Sequence, residues 1–164
     1  MPPLAKMTKK QAMYHFISGY TAKMAGTETG VTEPVAAFSP CYGGPFLTLH
    51  PLTYAELLEQ KLNDYDSSVF LVNTGWSGSS ATSGSSRIDL KKTKHIINLI
   101  TDGNLDFSKS VFDKFFNLEI PLDVYGLEND FLVPHKSWNN LEEYFSTGNM
   151  LTRPVSYTHL TLPT

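Results

Sequence analysis

The sequence predicts a mixed α/β fold, in which strands are flanked by helices. Apolar residues at helical spacing follow Thr53, and the apolar run Val69–Val72 then predicts a short buried strand. A second helical pattern around Ile96 comes after that strand. The order helix, strand, helix is typical of layered α/β proteins.

The composition excludes several classes of protein. The 164 residues are 41% hydrophobic and 18% charged, with a formal net charge of −3, which gives no reason to expect a nucleic acid partner. No apolar stretch approaches the roughly 20 residues that a membrane-spanning helix needs. Because Cys41 is the single cysteine, an internal disulfide or a Cys-based zinc site is excluded. We expect a soluble cytoplasmic protein that binds neither nucleic acid nor membrane.

The N-terminal part predicts a long amphipathic helix followed by a loop. Thr8 and Gln11 have the spacing of a capping box, and Gly26 stands where a C′ glycine ends a helix, so we expect a helix over residues 9–25. Residues 26–34 have no period. They are interpreted either as a lid over a site or as a plain surface connection, and spacing alone favours the connection.

The next segment contains two residues of potentially reactive type. Cys41 has no evident base beside it, which predicts an unreactive thiol. His50 has no second ligand at metal-binding spacing, which predicts a turn residue. Thr53 and Glu56 form a second capping-box pattern, so a helix is expected from there to about Asp64.

The stretch between Leu71 and Leu90 has the features of an anion site. A loop of Gly, Ser, Thr and Ala follows the strand, and Arg87 closes it. Such loops present backbone N–H groups and a cation to anions at the carboxyl end of a strand. The helix after it, which stops at Asp102, carries early lysines that oppose the helix dipole unless an anion lies there: Lys91, Lys92 and Lys94. A loop that binds nothing, with solvated lysines, is the alternative.

The C-terminal part predicts less regular structure. Residues 115–120 are expected to form a strand near a sheet edge, because Pro121 ends it. A last helix is expected to start at Ser137 or Asn139 and to break at Gly148.

Eight short segments resemble one enzyme family and occur in the same order as in that family. They are residues 14–23 (YHFISGYTAK), 25–28 (AGTE), 30–34 (GVTEP), 46–47 (FL), 49–51 (LHP), 54–56 (YAE), 71–76 (LVNTGW) and 116–121 (FNLEIP). Over residues 1–152 the chain resembles the C-terminal portion of the ATP-dependent phosphoenolpyruvate carboxykinases. The resemblance implies part of the C-terminal nucleotide-binding domain of that fold, with residues 26–34 as its mobile active-site lid.

The resemblance also implies a reaction. Family members convert oxaloacetate and ATP to phosphoenolpyruvate, ADP and CO2 with Mg²⁺ or Mn²⁺, in the cytoplasm at the entry to gluconeogenesis. Decarboxylation gives an enolate whose oxygen takes the γ-phosphoryl group. The protein's tasks are electrostatic stabilisation and in-line positioning.

Three nucleotide-binding residues are implied by the family's motif. Arg87 would lie near phosphates, Ile88 would offer backbone and apolar surface to the base or sugar, and Thr93 would offer a hydroxyl. Many members have a Gly-x-Gly-Lys-Arg pattern here, whereas this chain has Gly84-Ser85-Ser86-Arg87. The cation directly before Arg87 is therefore absent.

The family's phosphate loop, its metal ligands and its substrate-binding Arg and Tyr are implied to lie upstream. No Gly-x-x-x-x-Gly-Lys-[Ser/Thr] run occurs in the sequence, so we expect no catalytic or metal-binding residue in it and no activity of the isolated chain. Residues 1–154 are expected to be the C-terminal portion of the domain. The Thr- and Leu-rich residues 155–164 are interpreted as a non-native or disordered tail, or a short edge strand.

The expected partners are ATP and oxaloacetate in the full enzyme, together with the N-terminal portion of the family fold. Two alternatives stay open at this point. One is a stand-alone nucleotide- or anion-binding module, and the other is an interaction module that docks onto a separately encoded N-terminal half.

Overall fold

A computed structural model describes residues 1–23, 35–79 and 86–158, without side-chain detail for residues 22, 23, 35, 36 and 153–158. The described residues form two compact units. The first lies within Met1–Lys6 and Phe70–Met150, and the second within Met7–Val69 and Leu151–Thr164. Strands and helices occur together, so the predicted mixed α/β class is confirmed. Within the described ranges, no helix combines the length and the apolar character needed to cross a membrane.

The first unit is built on a four-stranded sheet. In chain order its strands are β1 (Leu4–Met7), β4 (Val69–Val72), β5 (Ser110–Phe112) and β6 (Glu119–Pro121), and in space their order is β4-β1-β6-β5. Strand β6 runs antiparallel to both neighbours, with Lys6 of β1 opposite Glu119 and Val111 of β5 opposite Ile120. The predicted strand at residues 69–72 is confirmed as β4, although its four residues are only partly buried and not fully buried as expected.

Helices cover the core of this unit. They are α3 (Leu90–Thr101), α4 (Asn129–Leu132), α5 (Pro134–Ser137) and the start of α6 (Leu141–Thr158). Sheet and helices contribute together to one buried cluster: Leu4, Ile88, Ile96, Leu99, Ile120, Val124, Phe131, Leu132 and Val133. Burying one side chain of this size stabilises a fold by about 1.5–3 kcal/mol. The predicted helix around Ile96 is confirmed as α3, which ends beside Asp102 as expected.

The second unit contains a helical pair and a hairpin. Its elements are α1 (Lys9–Ser18), β2 (Tyr20–Lys23), β3 (Val35–Phe38), two 3₁₀ turns (Pro40–Tyr42 and Gly44–Phe46) and α2 (Pro51–Asp64). Strands β2 and β3 pair antiparallel, with Tyr20 opposite Phe38. Helices α1 and α2 contact each other, and each contributes a buried alanine, Ala12 and Ala55.

The predicted first helix has the right start and the wrong end. Thr8 and Gln11 form the expected capping box, but α1 ends at Ser18 and not at residue 25. Gly19 adopts φ = 52° and donates its N–H to the carbonyls of His15 and Phe16, which closes the helix. The chain then enters β2, and Ser39 donates its N–H to the Gly19 carbonyl at 3.2 Å. Residues 26–34, the expected lid, lie outside the described residues.

The second helix begins earlier than predicted. Helix α2 starts at Pro51, and His50 is its N-cap, with Nδ1 accepting the N–H of Leu52 at 3.3 Å. The turn-type interpretation of His50 fits this role. Cys41 is partly buried, its Sγ lies 3.6 Å from the Pro51 carbonyl oxygen, and burial raises the pKa of its thiol. A raised pKa fits the predicted unreactive thiol.

The predicted edge strand over residues 115–120 is wrong, because the strand there is shorter and does not lie at the edge of the sheet. Asp113 accepts the N–H groups of Phe115 at 2.9 Å and Phe116 at 2.8 Å, which closes a turn between β5 and β6. Strand β6 begins only at Glu119 and lies inside the sheet. Pro121 ends this strand, and Leu122 after it donates its N–H to the Lys109 carbonyl at 2.8 Å.

The predicted break at Gly148 is also wrong, since the backbone of α6 is helical from Leu141 to Thr158. The helix is capped by Asn140, whose Oδ1 accepts the N–H groups of Glu142 and Glu143. Gly148 is buried because the ring of Phe115 occupies the space where a Cβ would be. Residues 155–158 of the expected tail have helical backbone, and residues 159–164 lie outside the description.

Gly148→Ala should destabilise the chain, although alanine is the better helix former by about 1 kcal/mol. The new Cβ would overlap the ring of Phe115, which packs on Tyr144 and Phe145 with centroids 5.4 and 5.9 Å away. Overpacking of this kind costs about 1–3 kcal/mol. Denaturant titration measures the change. Gly43→Ala is the control, since its Cβ would meet nothing closer than 3.9 Å; equal or greater stability of the Gly148 variant would contradict the packing argument.

Alkaline pH should selectively weaken the packing around Tyr144. Its hydroxyl donates to Asp113 Oδ2 at 3.4 Å, and burial together with this carboxylate raises the pKa of Tyr144 to about 12. The unfolded chain ionises its tyrosines near pH 10, so the stabilisation is present below pH 10 and is lost as the pH rises towards 12. Unfolding free energies measured from pH 9 to 11 should fall more steeply for the parent chain than for Tyr144→Phe. Parallel curves would refute this.

Candidate functional site

The base of the small-residue loop after β4 is held closed by backbone pairing. The Gly75 carbonyl accepts the N–H of Ile88 at 2.8 Å, and Trp76 forms an isolated antiparallel bridge with Arg87. Residues 80–85 of the loop lie outside the described residues. The two ends of the loop are therefore fixed side by side at the end of β4.

Asn73 anchors this end of β4. Its backbone N–H donates to Pro3 at 3.0 Å, and its Nδ2 donates to the Met1 carbonyl at 3.1 Å. Its Oδ1 accepts the N–H of Gly75 at 2.8 Å, which is the side-chain turn typical of asparagine. The sequence reasoning did not single out Asn73. An Asn two residues before a Gly at the end of a strand was the available signal.

Arg87 and Ile88 point in opposite directions. The Ile88 side chain is 8% exposed and belongs to the core, whereas Arg87 is exposed. Successive residues of an extended segment alternate sides, so burying one directs the other outwards. Arg87 Nη2 donates to the Thr74 carbonyl at 3.4 Å, and the guanidinium carbon lies 5.6 Å from the ring centroid of Trp76.

The start of α3 explains its lysines without a ligand. Asp89 is the N-cap, and its Oδ1 accepts the N–H of Lys91 at 2.9 Å. This carboxylate supplies the negative charge that favours a helix N-terminus. The ammonium of Lys92 lies 4.4 Å from the ring centroid of Phe131, a cation–π distance. An anion at this helix start is therefore not needed to balance the dipole. The N-cap was missed, although an Asp directly before the helical pattern is its usual signal.

Thr93 lies in the first turn of α3, where its backbone N–H donates to the Asp89 carbonyl at 3.0 Å. Its side chain is partly exposed. The structure thus places Arg87, Ile88 and Thr93 at the loop base and the adjoining helix turn, with Arg87 exposed and Ile88 in the core. The apolar surface expected from Ile88 faces the protein interior, so its backbone is what it can offer to a ligand.

Side chains that can bind a metal do not cluster in the described part of the chain. Within residues 1–23, 35–79 and 86–158, no three His, Cys, Asp or Glu side chains come together in a way that could hold a metal ion. We assign none of the described residues to a metal.

Comparison with known proteins gives a consistent result. A family model described as phosphoenolpyruvate carboxykinase matches residues 1–130. The chain is 48% identical over 151 residues to phosphoenolpyruvate carboxykinase (ATP) from Oceanobacillus iheyensis, covering 92% of this chain and 28% of the relative. The same-named protein of Saccharomyces cerevisiae is 48% identical over 145 residues, covering 88% of this chain and 26% of the relative.

A third relative agrees with these two. Phosphoenolpyruvate carboxykinase (ATP) from Eremothecium gossypii is 50% identical over 138 residues, covering 84% of this chain and 26% of the relative. The chain thus spans a little over a quarter of the length of the relatives that it matches. The family match extends over most of the chain and includes Asn73, Trp76, Arg87, Ile88 and Thr93. The chain belongs to the phosphoenolpyruvate carboxykinase family.

Proposed function

We propose that this chain supplies the adenine-nucleotide edge of an ATP-dependent phosphoenolpyruvate carboxykinase. The proposed reaction is that of the family: oxaloacetate loses CO2, and the oxygen of the resulting enolate takes the γ-phosphoryl group of ATP, leaving phosphoenolpyruvate and ADP. A cytoplasmic place in gluconeogenesis is part of the same proposal. The relatives bearing that name support it, and the geometry of the loop base supports the assignment of residues.

The exposed guanidinium of Arg87 is the main observation that supports this proposal. Its guanidinium is exposed beside a closed loop base, and among the described residues it has no ion pair with a carboxylate. A guanidinium that is not neutralised by a neighbouring acid attracts anions and can hold two phosphate oxygens at once. Because the formal charge of the chain is −3, this attraction arises from the local site rather than from a general positive field.

Ile88 and Thr93 take supporting roles in the proposal. The Ile88 side chain is in the core, so we assign its backbone, and not its apolar surface, to the nucleotide. Burial of that side chain also fixes where the preceding guanidinium points. Thr93 is partly exposed one turn into α3, where its hydroxyl can donate or accept a hydrogen bond from the sugar or base.

The remaining chemistry is assigned to residues outside this set. The sequence contains no Gly-Lys dipeptide, so a phosphate loop of the Gly-x-x-x-x-Gly-Lys type is not among its 164 residues. Among the described residues, no three His, Cys, Asp or Glu side chains come together as a metal site. We therefore propose that the chain alone binds nucleotide without forming phosphoenolpyruvate.

Arg87→Ala should weaken binding of ATP to the chain by about ten- to a hundredfold, since hydrogen bonds to charged groups contribute about 1.5–3 kcal/mol. Isothermal titration with ATP measures the loss. Thr93→Ala should give a smaller loss, because it removes one neutral hydrogen bond. Lys136→Ala, which removes an exposed positive charge from α5, is the matched control and should leave the affinity unchanged.

ATP binding and phosphoenolpyruvate formation, measured together, give three outcomes that test the proposal. Saturable ATP binding that depends on Arg87, without phosphoenolpyruvate formation from oxaloacetate, supports the proposal. Equal binding by the parent chain and Arg87→Ala rejects the assigned edge. Phosphoenolpyruvate formation by the purified chain rejects the assignment of the phosphate and metal groups to other residues.

A further inference from the structure

The guanidinium of Arg87 is restrained by contacts within the chain. The backbone bridge to Trp76 fixes where its side chain begins, and the 3.4 Å hydrogen bond to the Thr74 carbonyl restrains its far end. The indole of Trp76 lies 5.6 Å from the guanidinium carbon, within the range of a cation–π contact. Trp76 itself is partly buried.

We propose that Trp76 is a positioning residue for nucleotide binding, because it holds the guanidinium of Arg87 in the orientation that meets an anionic phosphate. This inference rests on the proposed function, in which Arg87 contacts ATP. Trp76 acts through Arg87 and is not itself assigned a contact with the nucleotide.

The donor count supports this role. A guanidinium has five N–H donors, and the Thr74 carbonyl accepts from one of its terminal nitrogens. The indole is an electron-rich surface that attracts the cation without consuming a donor. The guanidinium is therefore held and still has N–H groups to offer to phosphate oxygens. A carboxylate in the place of Trp76 would hold the guanidinium equally well but would occupy those donors and neutralise the charge.

The surrounding sequence makes this restraint more important. Ser86 precedes Arg87, so no second cation stands directly before it in the chain. The edge then depends on one long, exposed side chain that loses rotamer freedom when it binds. Holding that side chain in advance reduces the loss, which is the physical reason for an aromatic partner at the opposite end of the loop.

A purely structural role for Trp76 predicts a different pattern of mutational effects. An indole that only packs against the loop would be needed whether or not residue 87 is an arginine. A positioning indole matters only while the guanidinium is there. It should also be replaceable by another aromatic ring but not by an aliphatic side chain of similar bulk.

ATP titration of four variants separates these roles: Trp76→Phe, Trp76→Leu, Arg87→Ala and the double variant Trp76→Leu with Arg87→Ala. We expect Trp76→Leu to weaken ATP binding roughly two- to fivefold, the range of an exposed cation–π contact, and Trp76→Phe to retain most of the affinity. In the Arg87→Ala background, Trp76→Leu should have no further effect. An equal loss in both backgrounds, or an equal loss for Phe and Leu, overturns the inference.

Tryptophan fluorescence measured without nucleotide tests the contact between Arg87 and Trp76 directly. The chain has two tryptophans, so Trp138→Phe leaves Trp76 as the single indole emitter. In that background, Arg87→Ala should uncover the indole face and increase quenching by acrylamide, whereas Lys136→Ala should not. Unchanged quenching overturns the inference while leaving the proposed function standing. Equal ATP binding by the parent chain and by Arg87→Ala would instead reject the proposed function, and this inference with it.

Discussion

The hydrogen bond from the Ile88 N–H to the Gly75 carbonyl, 2.8 Å long, sets which side chains the candidate site presents. It fixes the pairing at the loop base, so Ile88 enters the core and Arg87 faces outwards. A slip by one residue would exchange the two and bury an unpaired guanidinium, which is far more costly than losing an apolar contact. Core packing and the position of the charge are therefore consequences of one register.

Fixed contacts continue on both sides of this pairing. Upstream, Asn73 ties the end of β4 to Pro3 and Met1 through two hydrogen bonds and holds Gly75 with a third. Downstream, the residue after Ile88 is the N-cap Asp89, so α3 begins at once and Thr93 lies one turn further on. A short segment thus joins the sheet, the loop base and the helix, and rigid elements rather than a free loop position the candidate contacts.

The electrostatics of the site come from what surrounds each cation. Asp89 caps the N-terminus of α3 and supplies a negative charge there, and the ammonium of Lys92 lies over the ring of Phe131. Arg87 is held by an aromatic face and a neutral carbonyl, which leave its charge in place. Its place at the closed loop base is the reason why Arg87, and not the lysines that stood out in the sequence, is the residue that we assign to an anion.

The sequence by itself determined the family, the capping box of α1, the strand β4 and the helix α3, because each depends on local pattern. The sequence could not decide which of two glycines, Gly19 and Gly148, ends a helix and which lies within one. Gly19 ends α1 in the left-handed conformation, and the backbone of Ser39, twenty residues away, occupies the space where its Cβ would be. Gly148 lies within α6, and the ring of Phe115 occupies the space where its Cβ would be. Nor could it show that Ile88 faces the core and Arg87 meets Trp76. These outcomes depend on contacts between residues distant in sequence, and only the tertiary structure brings such residues together.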